Sequence, residues 1–306
     1  MKKILISGIT GFVGKNLEHF LQDKNKYQIW GASRSSDEAN HLNFDDLDED
    51  GKFIIYIHLA GKAHDLKSVT NPQEYYEANT ELTKKIFDSF LASDAKVFIT
   101  LSSVKAVADS TEQVLTEDFI PNPLTHYGKS KRLAEEYILA NLPKDKRVYI
   151  IRPCMIHGGG NKGNLTLLYN FVKKGIPYPL GTYDNKRSFL SIDNLCFVIN
   201  ELIEQNDVPS GIYHLADDEP ISTKDLITLI SQVTNKKIFI WKIPKFIVSV
   251  VAKIGDYFPL PINTERVMKM TENYVVSNQK IKTALGKNLP IPSKEGLIKT
   301  IQSFEK

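Results

Sequence analysis

The chain has 306 residues, of which 42% are hydrophobic and 25% charged, and its formal net charge is +3. This length can bury a large α/β core, and the composition is typical of globular proteins. The small charge argues against a nucleic-acid partner, and two distant cysteines, Cys154 and Cys196, indicate reduced core thiols rather than a disulfide framework.

Neither a membrane segment nor a metal site is expected. Glycines interrupt the apolar run that follows the N-terminal lysines, which favours a buried strand over a signal peptide. The apolar stretch 246–252 lies between two lysines and is far shorter than a bilayer span. His58 and His64 lack partners at metal-ligand spacing. We therefore expect a cytoplasmic protein without membrane insertion and without a bound metal.

Apolar segments alternate with helical patterns through the first half of the chain. Lys3–Ser7 is predicted to be a strand ending in a glycine-rich turn, and Phe12–Leu21 has helical spacing. The alternation of strands and helices continues at 27–33, 53–59, 75–91, 96–102, 124–141 and 147–151. Near-continuous apolar strands between helices indicate a parallel sheet covered on both faces, which is the doubly wound Rossmann-type arrangement.

After Arg152 and Pro153 the pattern changes to glycine- and proline-rich loops, with ordered signals returning near 188–192 and 223–233. The predicted fold class is α/β, a Rossmann-type doubly wound parallel sheet with a smaller C-terminal α/β substrate lobe. We assign residues 1–153, with returning segments at about 185–215, to an NAD(P)-binding domain, and 154–306 mainly to the substrate-binding lobe.

Tyr127 and Lys131 form the most informative pair of the sequence. Residues four apart share one face of a helix, so Lys131 is expected beside the Tyr127 phenol. An unperturbed tyrosine has a pKa of about 10, and a neighbouring cation favours the phenolate and hence proton transfer. Such a pair also arises by chance on a solvated helix. Together with a glycine loop and Ser102-Ser103 upstream, it indicates a nicotinamide-dependent enzyme.

Gly8, Gly11 and Gly14 follow a strand and open a helix, the context in which a glycine loop binds a pyrophosphate. A purely structural turn is the alternative. NAD-binding proteins typically place an acidic residue after the second strand, whereas an arginine there accommodates a 2′-phosphate. Arg34 occupies this region, and no carboxylate precedes Asp37. NADP(H) is therefore the preferred cofactor, with NAD(H) as the alternative.

Ser102-Ser103 ends a predicted strand at the edge of the sheet where ligands of such folds bind. A serine there either hydrogen-bonds a substrate oxygen or caps the next segment. The surrounding sequence has no G-x-S-x-G elbow, which argues against a hydrolase.

Several motifs together resemble the extended short-chain dehydrogenases/reductases that act on nucleotide sugars. They are Gly8-x-x-Gly11-x-x-Gly14, His58-Leu-Ala-Gly61, Ser102-Ser103, Tyr127-x-x-x-Lys131 and Arg152-Pro153. The resemblance extends to Leu285-Gly286 and Glu295-Gly296-Leu297 near the C-terminus. It is most detailed for the branch of UDP-sugar 4-epimerases and UDP-4-keto-6-deoxy-N-acetylhexosamine 4-reductases, through the segments 162–165, 179–181 and 184–189.

The resemblance implies a role for each matching residue. Tyr127 would be the acid/base, Lys131 its electrostatic partner and a ligand of the nicotinamide ribose, and Ser103 the donor to the reacting oxygen. Asn79 would support this geometry. Asn164 and Arg187 would hold the nucleotide diphosphate, with a surface ion pair as the alternative for Arg187. The implied cofactor-binding residues are Gly8, Thr10, Gly11, Phe12, Val13, Gly14, Arg34, Leu59, Ala60, Gly61, Tyr127, Lys131 and Pro153.

Two departures from the family pattern narrow the function. Val104-Lys105 stand where the 4,6-dehydratases have Asp-Glu, so the carboxylates that eliminate water are missing. Val107-Ala108-Asp109 replace the usual Val-Tyr-Gly, so the wall near the sugar is expected to differ. The leading hypothesis is an NADP(H)-preferring 4-reductase of a UDP-4-keto-6-deoxy-N-acetylhexosamine for surface polysaccharide synthesis. The alternatives are a UDP-hexose(amine) 4-epimerase and an inactive NADP(H)-binding regulator. Oligomeric state stays open, with a homodimer as one option.

Overall fold

The computed structural model describes residues 1–34, 40–47, 52–62, 71–161, 163–258 and 262–305. Seven strands form one sheet: Lys2–Ser7 (β1), Tyr27–Ser33 (β2), His41–Asn43 (β3), Ile55–His58 (β4), Val97–Leu101 (β5), Arg147–Pro153 (β6) and Gly211–Leu215 (β9). All neighbours in it are parallel, in the order β3-β2-β1-β4-β5-β6-β9. Met155–His157 (β7) and Phe189–Ser191 (β8) form a second, two-stranded parallel sheet. The predicted α/β class with a Rossmann-type sheet is confirmed.

The described residues also contain eleven α-helices. They are Phe12–Gln22 (α1), Gln73–Tyr76 (α2), Leu82–Ala92 (α3), His126–Ala140 (α4), Asn164–Lys173 (α5), Ile192–Glu204 (α6), Thr223–Val233 (α7), Lys245–Tyr257 (α8), Thr264–Thr271 (α9), Gln279–Leu285 (α10) and Ser293–Ser303 (α11). A π-helical turn, Glu77–Glu81, joins α2 to α3, so the single helix predicted over 75–91 is three segments.

Side chains of the sheet alternate between two apolar layers, as the pleat of a strand requires. On β1, Ile4 packs in a cluster with Leu17 of α1 and Leu195 of α6. Leu5, the next residue, packs in the other cluster with helices α3 and α4 on the opposite face. Helices therefore cover both faces of the sheet. The ends of the strands lie along the two edges between these helical layers.

Segments after residue 153 contribute both to this sheet and to a separate apolar cluster. β9 pairs in parallel with β6, and α6 packs against α1. A third cluster joins α5, α7 and α11 through Leu165, Ile230 and Ile301. The domain boundaries at residue 153 and at about 185–215 stay a prediction.

Candidate active site

The catalytic candidates lie at the carboxyl end of β5 and the start of α4. β5 ends at Leu101, and Ser103 then caps the 3₁₀ turn Val104–Ala106 by accepting a hydrogen bond from the Lys105 backbone N–H at 3.1 Å. The capping role considered from the sequence is therefore present. Ser103 and its neighbour Ser102 are both buried. This places Ser103 at the sheet edge where ligands of parallel α/β folds bind.

The start of α4 is fixed by a cap that sets the position of Tyr127. The Thr125 hydroxyl accepts a hydrogen bond from the Gly128 backbone N–H at 3.2 Å and donates one to Asp109 Oδ1 at 3.1 Å. Gly128 packs directly against the Lys105 carbonyl, where a side chain would collide with it. This close approach brings the first turn of α4 against the turn that begins at Ser103. No pattern in the sequence predicts that position 128 requires a glycine.

Tyr127 is partly buried and hydrogen-bonds to the Ser103 side chain. Its ring also packs edge-on against Tyr75, with ring centroids 6.0 Å apart. Burial raises the pKa of Tyr127, the hydrogen bond with Ser103 lowers it, and Tyr75 raises it. The net shift is upward, so the sequence-based expectation that a cation would favour the phenolate is wrong for this structure.

Lys131 is buried, and its ammonium donates a hydrogen bond to the Leu101 carbonyl at 3.0 Å. Burial lowers the pKa of Lys131 to about 8, and the nearby Glu135 opposes that shift. A Cβ atom built on Gly61 would lie 2.6 Å from Asn79 Oδ1 and 3.2 Å from Lys131 Nζ, so a side chain there would displace the Asn79 amide and crowd the ammonium. The lysine thus lies between the end of β5 and the loop after β4.

Asn79 connects that loop to α4. It is fully buried, accepts a hydrogen bond from the Lys62 backbone N–H at 2.8 Å, and donates to the Lys62 carbonyl at 3.1 Å and to Ser130 Oγ at 3.0 Å. Ser130 in turn donates to the Tyr127 carbonyl at 2.8 Å. Asn79 lies within the π-helical turn, and such turns are frequent at functional sites. This contact network accounts for the positioning role implied by the resemblance.

Ser102 and Ser103 face different partners. The Ser102 hydroxyl donates to the Glu135 carboxylate, which also accepts hydrogen bonds from Arg152 Nε at 2.8 Å and Nη2 at 2.6 Å. All three side chains are buried. A buried carboxylate needs such partners to remain charged. Ser102 therefore helps to stabilise the structural ion pair between Glu135 and Arg152, whereas Ser103 contacts the Tyr127 phenol.

His58 has a structural role. Its Nδ1 lies 2.6 Å from Ser7 Oγ, and its Nε2 lies 2.8 Å from Thr83 Oγ1, so it links β1, β4 and α3. Burial, and then the charge of Lys131, lower the pKa of His58 to about 3, which keeps the imidazole neutral. His64 lies outside the described residues. Across the part of the chain that is described, no group of three His, Cys, Asp or Glu residues is arranged to hold a metal ion.

The glycine loop fits a dinucleotide pyrophosphate. Gly8 has a φ of 75°, and a Cβ atom there would be 2.6 Å from the Ala60 backbone nitrogen. Helix α1 begins after Gly11, which supplies no side-chain cap, so its first backbone N–H groups can bind an anion. The predicted cofactor-binding residues lie on three segments. Thr10, Phe12, Val13 and Gly14 belong to the loop and the start of α1, Leu59 and Ala60 follow β4, and Pro153 ends β6, which β4 and β5 separate from β1. Thr10 is exposed, Phe12, Val13, Leu59 and Ala60 are partly buried, and Gly14 and Pro153 are buried.

Arg34 follows β2 directly and is exposed. The Gly8 backbone N–H donates to the Ala32 carbonyl at 3.4 Å, so the end of β2 adjoins the glycine loop. Arg34 therefore follows the strand end that adjoins the loop, which is the region where a ribose 2′-substituent is recognised in this fold. Asp37, the first carboxylate after β2, lies outside the described residues.

Arg187 and Asn164 belong to elements after β6. Arg187 Nη1 donates to the Lys269 carbonyl at 2.5 Å, and Nη2 lies 3.5 Å from Glu272 Oε1, so the ion-pair alternative is observed. Arg187 also lies close enough to Lys105 to lower its pKa, although burial is the larger cause. Asn164 is exposed at the first position of α5. A role for both residues in binding diphosphate stays a prediction.

Comparison with known proteins identifies the family. The family model described as "NAD dependent epimerase/dehydratase family" matches residues 4–216, which is most of the chain. The chain belongs to this family. Its members are NAD-dependent enzymes, so the predicted resemblance to extended short-chain dehydrogenases/reductases, the enzyme class and NAD(P) as the cofactor are confirmed.

Two relatives match with 30% identity. UDP-glucose 4-epimerase from Vibrio cholerae matches 99% of this chain and 95% of its own length. GDP-6-deoxy-D-talose 4-dehydrogenase from Aggregatibacter actinomycetemcomitans matches 66% and 70%. Among solved structures, MoeE5 in complex with UDP-glucuronic acid and NAD superimposes with a TM-score of 0.78 over 99% of both chains, at 18% identity. The structural likeness supports the shared fold.

Proposed function

We propose that this chain is an NADP(H)-preferring reductase of a UDP-4-keto-6-deoxy-N-acetylhexosamine in surface polysaccharide synthesis. The observation that carries the proposal is the hydrogen bond between Ser103 and Tyr127 at the carboxyl edge of the sheet. A phenol held in this way can deliver a proton to a carbonyl oxygen that accepts hydride at its carbon.

In this reaction NADPH supplies the hydride to C4 of the sugar. Ser103 would donate a hydrogen bond to the C4 oxygen, and Tyr127 would transfer its phenolic proton to that oxygen as the ketone becomes a hydroxyl. The buried Lys131 ammonium, whose pKa is lowered to about 8, remains mostly protonated at neutral pH and would stabilise the phenolate that is left. Asn79 would hold α4, and with it Tyr127, through Ser130.

The neighbours of Ser103 argue against water elimination. Val104 is buried and apolar, and the Lys105 ammonium donates to the Asp109 carbonyl while lying 4.4 Å from the centre of the Tyr274 ring. Neither residue carries a carboxylate that can remove a proton from C5. A 4,6-dehydratase is therefore disfavoured.

The same tyrosine serves both remaining reactions. A reductase uses Tyr127 as the acid, whereas a 4-epimerase uses it first as the base and then as the acid. The relative named GDP-6-deoxy-D-talose 4-dehydrogenase supports redox chemistry at position 4 of a 6-deoxy sugar nucleotide and hence the reductase.

A UDP-hexose(amine) 4-epimerase is the second candidate. The full-length relative from Vibrio cholerae bears that activity in its name, UDP-glucose 4-epimerase, and supports a UDP-linked substrate for either reaction. Arg34 supports NADPH, which a reductase consumes in each turnover. Diphosphate binding by Asn164 and Arg187, a cytoplasmic location and a homodimer also belong to this proposal.

The test is to supply the purified protein with a UDP-4-keto-6-deoxy-N-acetylhexosamine and NADPH. We expect one NADPH to be oxidised for each sugar reduced, and the Tyr127→Phe protein to show almost no oxidation. Interconversion of UDP-GlcNAc with UDP-GalNAc, or of UDP-glucose with UDP-galactose, without net change in cofactor would instead establish the epimerase. Binding of NADPH with neither reaction would favour the inactive regulator.

A further inference from the structure

Helix α8 presents an apolar face that no described element covers. Its buried residues are Val248, Ala252 and Gly255, which lie on one side of the helix. Seven large apolar residues at its other positions and its C-terminal end are exposed: Phe246, Ile247, Val250, Val251, Ile254, Tyr257 and Phe258. At 3.6 residues per turn they span roughly 140° of the helix surface. Soluble proteins rarely expose so continuous an apolar surface without a partner.

The exposure is greatest opposite the buried side. Phe246 is 71% exposed, Val250 is 55% and Tyr257 is 88%. These residues are spaced so that they share a face of the helix. Phe239 and Trp241, in the segment just before α8, are also exposed. Aromatic side chains of this kind are favoured at the boundary between water and a bilayer.

The segment that carries this face is strongly basic. Between residues 236 and 258 there are five lysines and one acidic residue, Asp256, a net charge of +4 that exceeds the +3 of the whole chain. Asp256 accepts hydrogen bonds from the Thr264 backbone N–H at 2.9 Å and hydroxyl at 2.6 Å. On the helix, Lys253 lies beside Phe246 and Tyr257 at the edge of the apolar face, whereas Lys245 lies over the Tyr183 ring. A basic side chain at the edge of the apolar face and a basic segment before the helix fit an anionic, partly apolar partner.

The same charge disfavours a second copy of the chain as the partner. In a two-fold dimer each patch packs on its own copy, so a segment with a net charge of +4 would approach another of the same charge. A nucleic acid matches the charge but leaves the apolar side chains uncovered. An anionic phospholipid surface satisfies both features, because basic residues bind head groups while apolar residues enter the acyl boundary.

We propose that α8 and the segment before it bind the surface of an anionic phospholipid bilayer, with the helix parallel to the membrane plane. Its 13 residues extend roughly 20 Å, well short of a hydrocarbon core of about 30 Å. In the described parts of the chain no helix is long and apolar enough to cross a membrane, so the association is peripheral. The inference is independent of which sugar the enzyme reduces.

Flotation of the full chain with vesicles tests the proposal. One set consists of phosphatidylcholine alone, and the other contains about one third phosphatidylglycerol. We expect selective binding to the anionic vesicles that weakens as salt is added. The Phe246→Glu/Val250→Glu protein should bind about tenfold more weakly or worse, and Lys242→Gln/Lys253→Gln should lose roughly fivefold for each lysine.

Ile120→Glu/Ile176→Glu is the matched control, because both residues are exposed and the introduced charge is the same. It should bind vesicles like the unmodified chain, and all variants should keep the same unfolding temperature and turnover of soluble substrate. No binding to anionic vesicles, or equal loss in the control, would overturn the proposal. Sedimentation showing a dimer that Phe246→Glu/Val250→Glu dissociates, without vesicle binding, would identify the face as an interface between copies.

Discussion

The Ser102 hydroxyl donates a hydrogen bond to the buried Glu135 carboxylate, whereas the adjacent Ser103 hydroxyl contacts Tyr127, the proposed acid. Two neighbouring hydroxyls therefore have different partners. The first helps to satisfy the ion pair between Glu135 and Arg152, and the second is the one that we propose to bind the substrate oxygen.

This separation predicts different kinetic phenotypes for two alanine variants. Ser103→Ala should lower turnover by about 10²-fold, because it removes a donor to the reacting oxygen, and should lower the free energy of unfolding by about 0.5–2 kcal/mol, because the cap of the 3₁₀ turn is lost. Ser102→Ala should keep most turnover but lower the free energy of unfolding by about 1–3 kcal/mol, because the charged Glu135 loses a buried donor. Steady-state kinetics and urea unfolding of both proteins provide the measurement. Equal kinetic losses in the two variants would contradict the assignment.

Tyr127→Phe should reduce turnover by about 10² to 10⁴-fold and leave cofactor affinity nearly unchanged, because only the transferable proton is lost. Tyr76→Phe is a matched control, since that hydroxyl contacts His126 at 3.1 Å. Turnover assays and cofactor titration of both variants test the prediction. Near-normal activity of the Tyr127 variant would rule out its role as the acid.

Lys131→Met should abolish activity and stabilise the fold at pH 7. The pKa of Lys131 is lowered from 10.5 to about 8 in the folded state. Below pH 8 the buried charge costs about 1–3 kcal/mol, after allowance for the bond to Leu101. Between these values the unfolded chain holds the proton that the folded protein has lost, so stability rises with pH. The advantage of the variant should therefore shrink toward pH 10.5.

Urea unfolding of both proteins across this range gives the comparison, with Lys129→Met as the control on an exposed position of the same helix. A stability difference that does not depend on pH, or one shared by the control, would show that burial of the Lys131 charge is not its cause.

Arg34→Ala should weaken NADPH binding by roughly 1.5–3 kcal/mol and NADH binding much less, because a charge-assisted contact to the 2′-phosphate is lost. Arg34→Lys keeps the charge and should retain part of the preference. Titration of both cofactors by intrinsic fluorescence measures the difference. If the unmodified protein binds NADH and NADPH equally, the argument from Arg34 fails and NAD becomes the cofactor.

The sequence was sufficient for features that follow from local pattern. Apolar runs predicted β1 and β2 to within one residue, and the spacing of Tyr127 and Lys131 placed both on α4. The π-helical turn around Asn79 was not predictable, because its geometry depends on buried contacts with Lys62 and Ser130 that only the folded chain creates.

The direction of the Tyr127 pKa shift was also beyond the sequence. Spacing placed Lys131 on the same helix as the phenol, but the sign of the pKa shift is decided by burial, which depends on how the surrounding loops close. The need for a glycine at position 128 was unpredictable for the same reason, because it arises from close packing against the carbonyl of Lys105, which belongs to a different element.

The placement of β9 has a consequence for the order in which the chain folds. β9 completes the sheet by pairing with β6, yet β7, α5, β8 and α6 all intervene in the chain. Closing so long a loop is slow compared with forming neighbouring contacts. During synthesis, β6 therefore spends a period as an unpaired apolar edge, and we expect the nascent chain to be prone to pairing with other chains until Gly211–Leu215 has emerged from the ribosome.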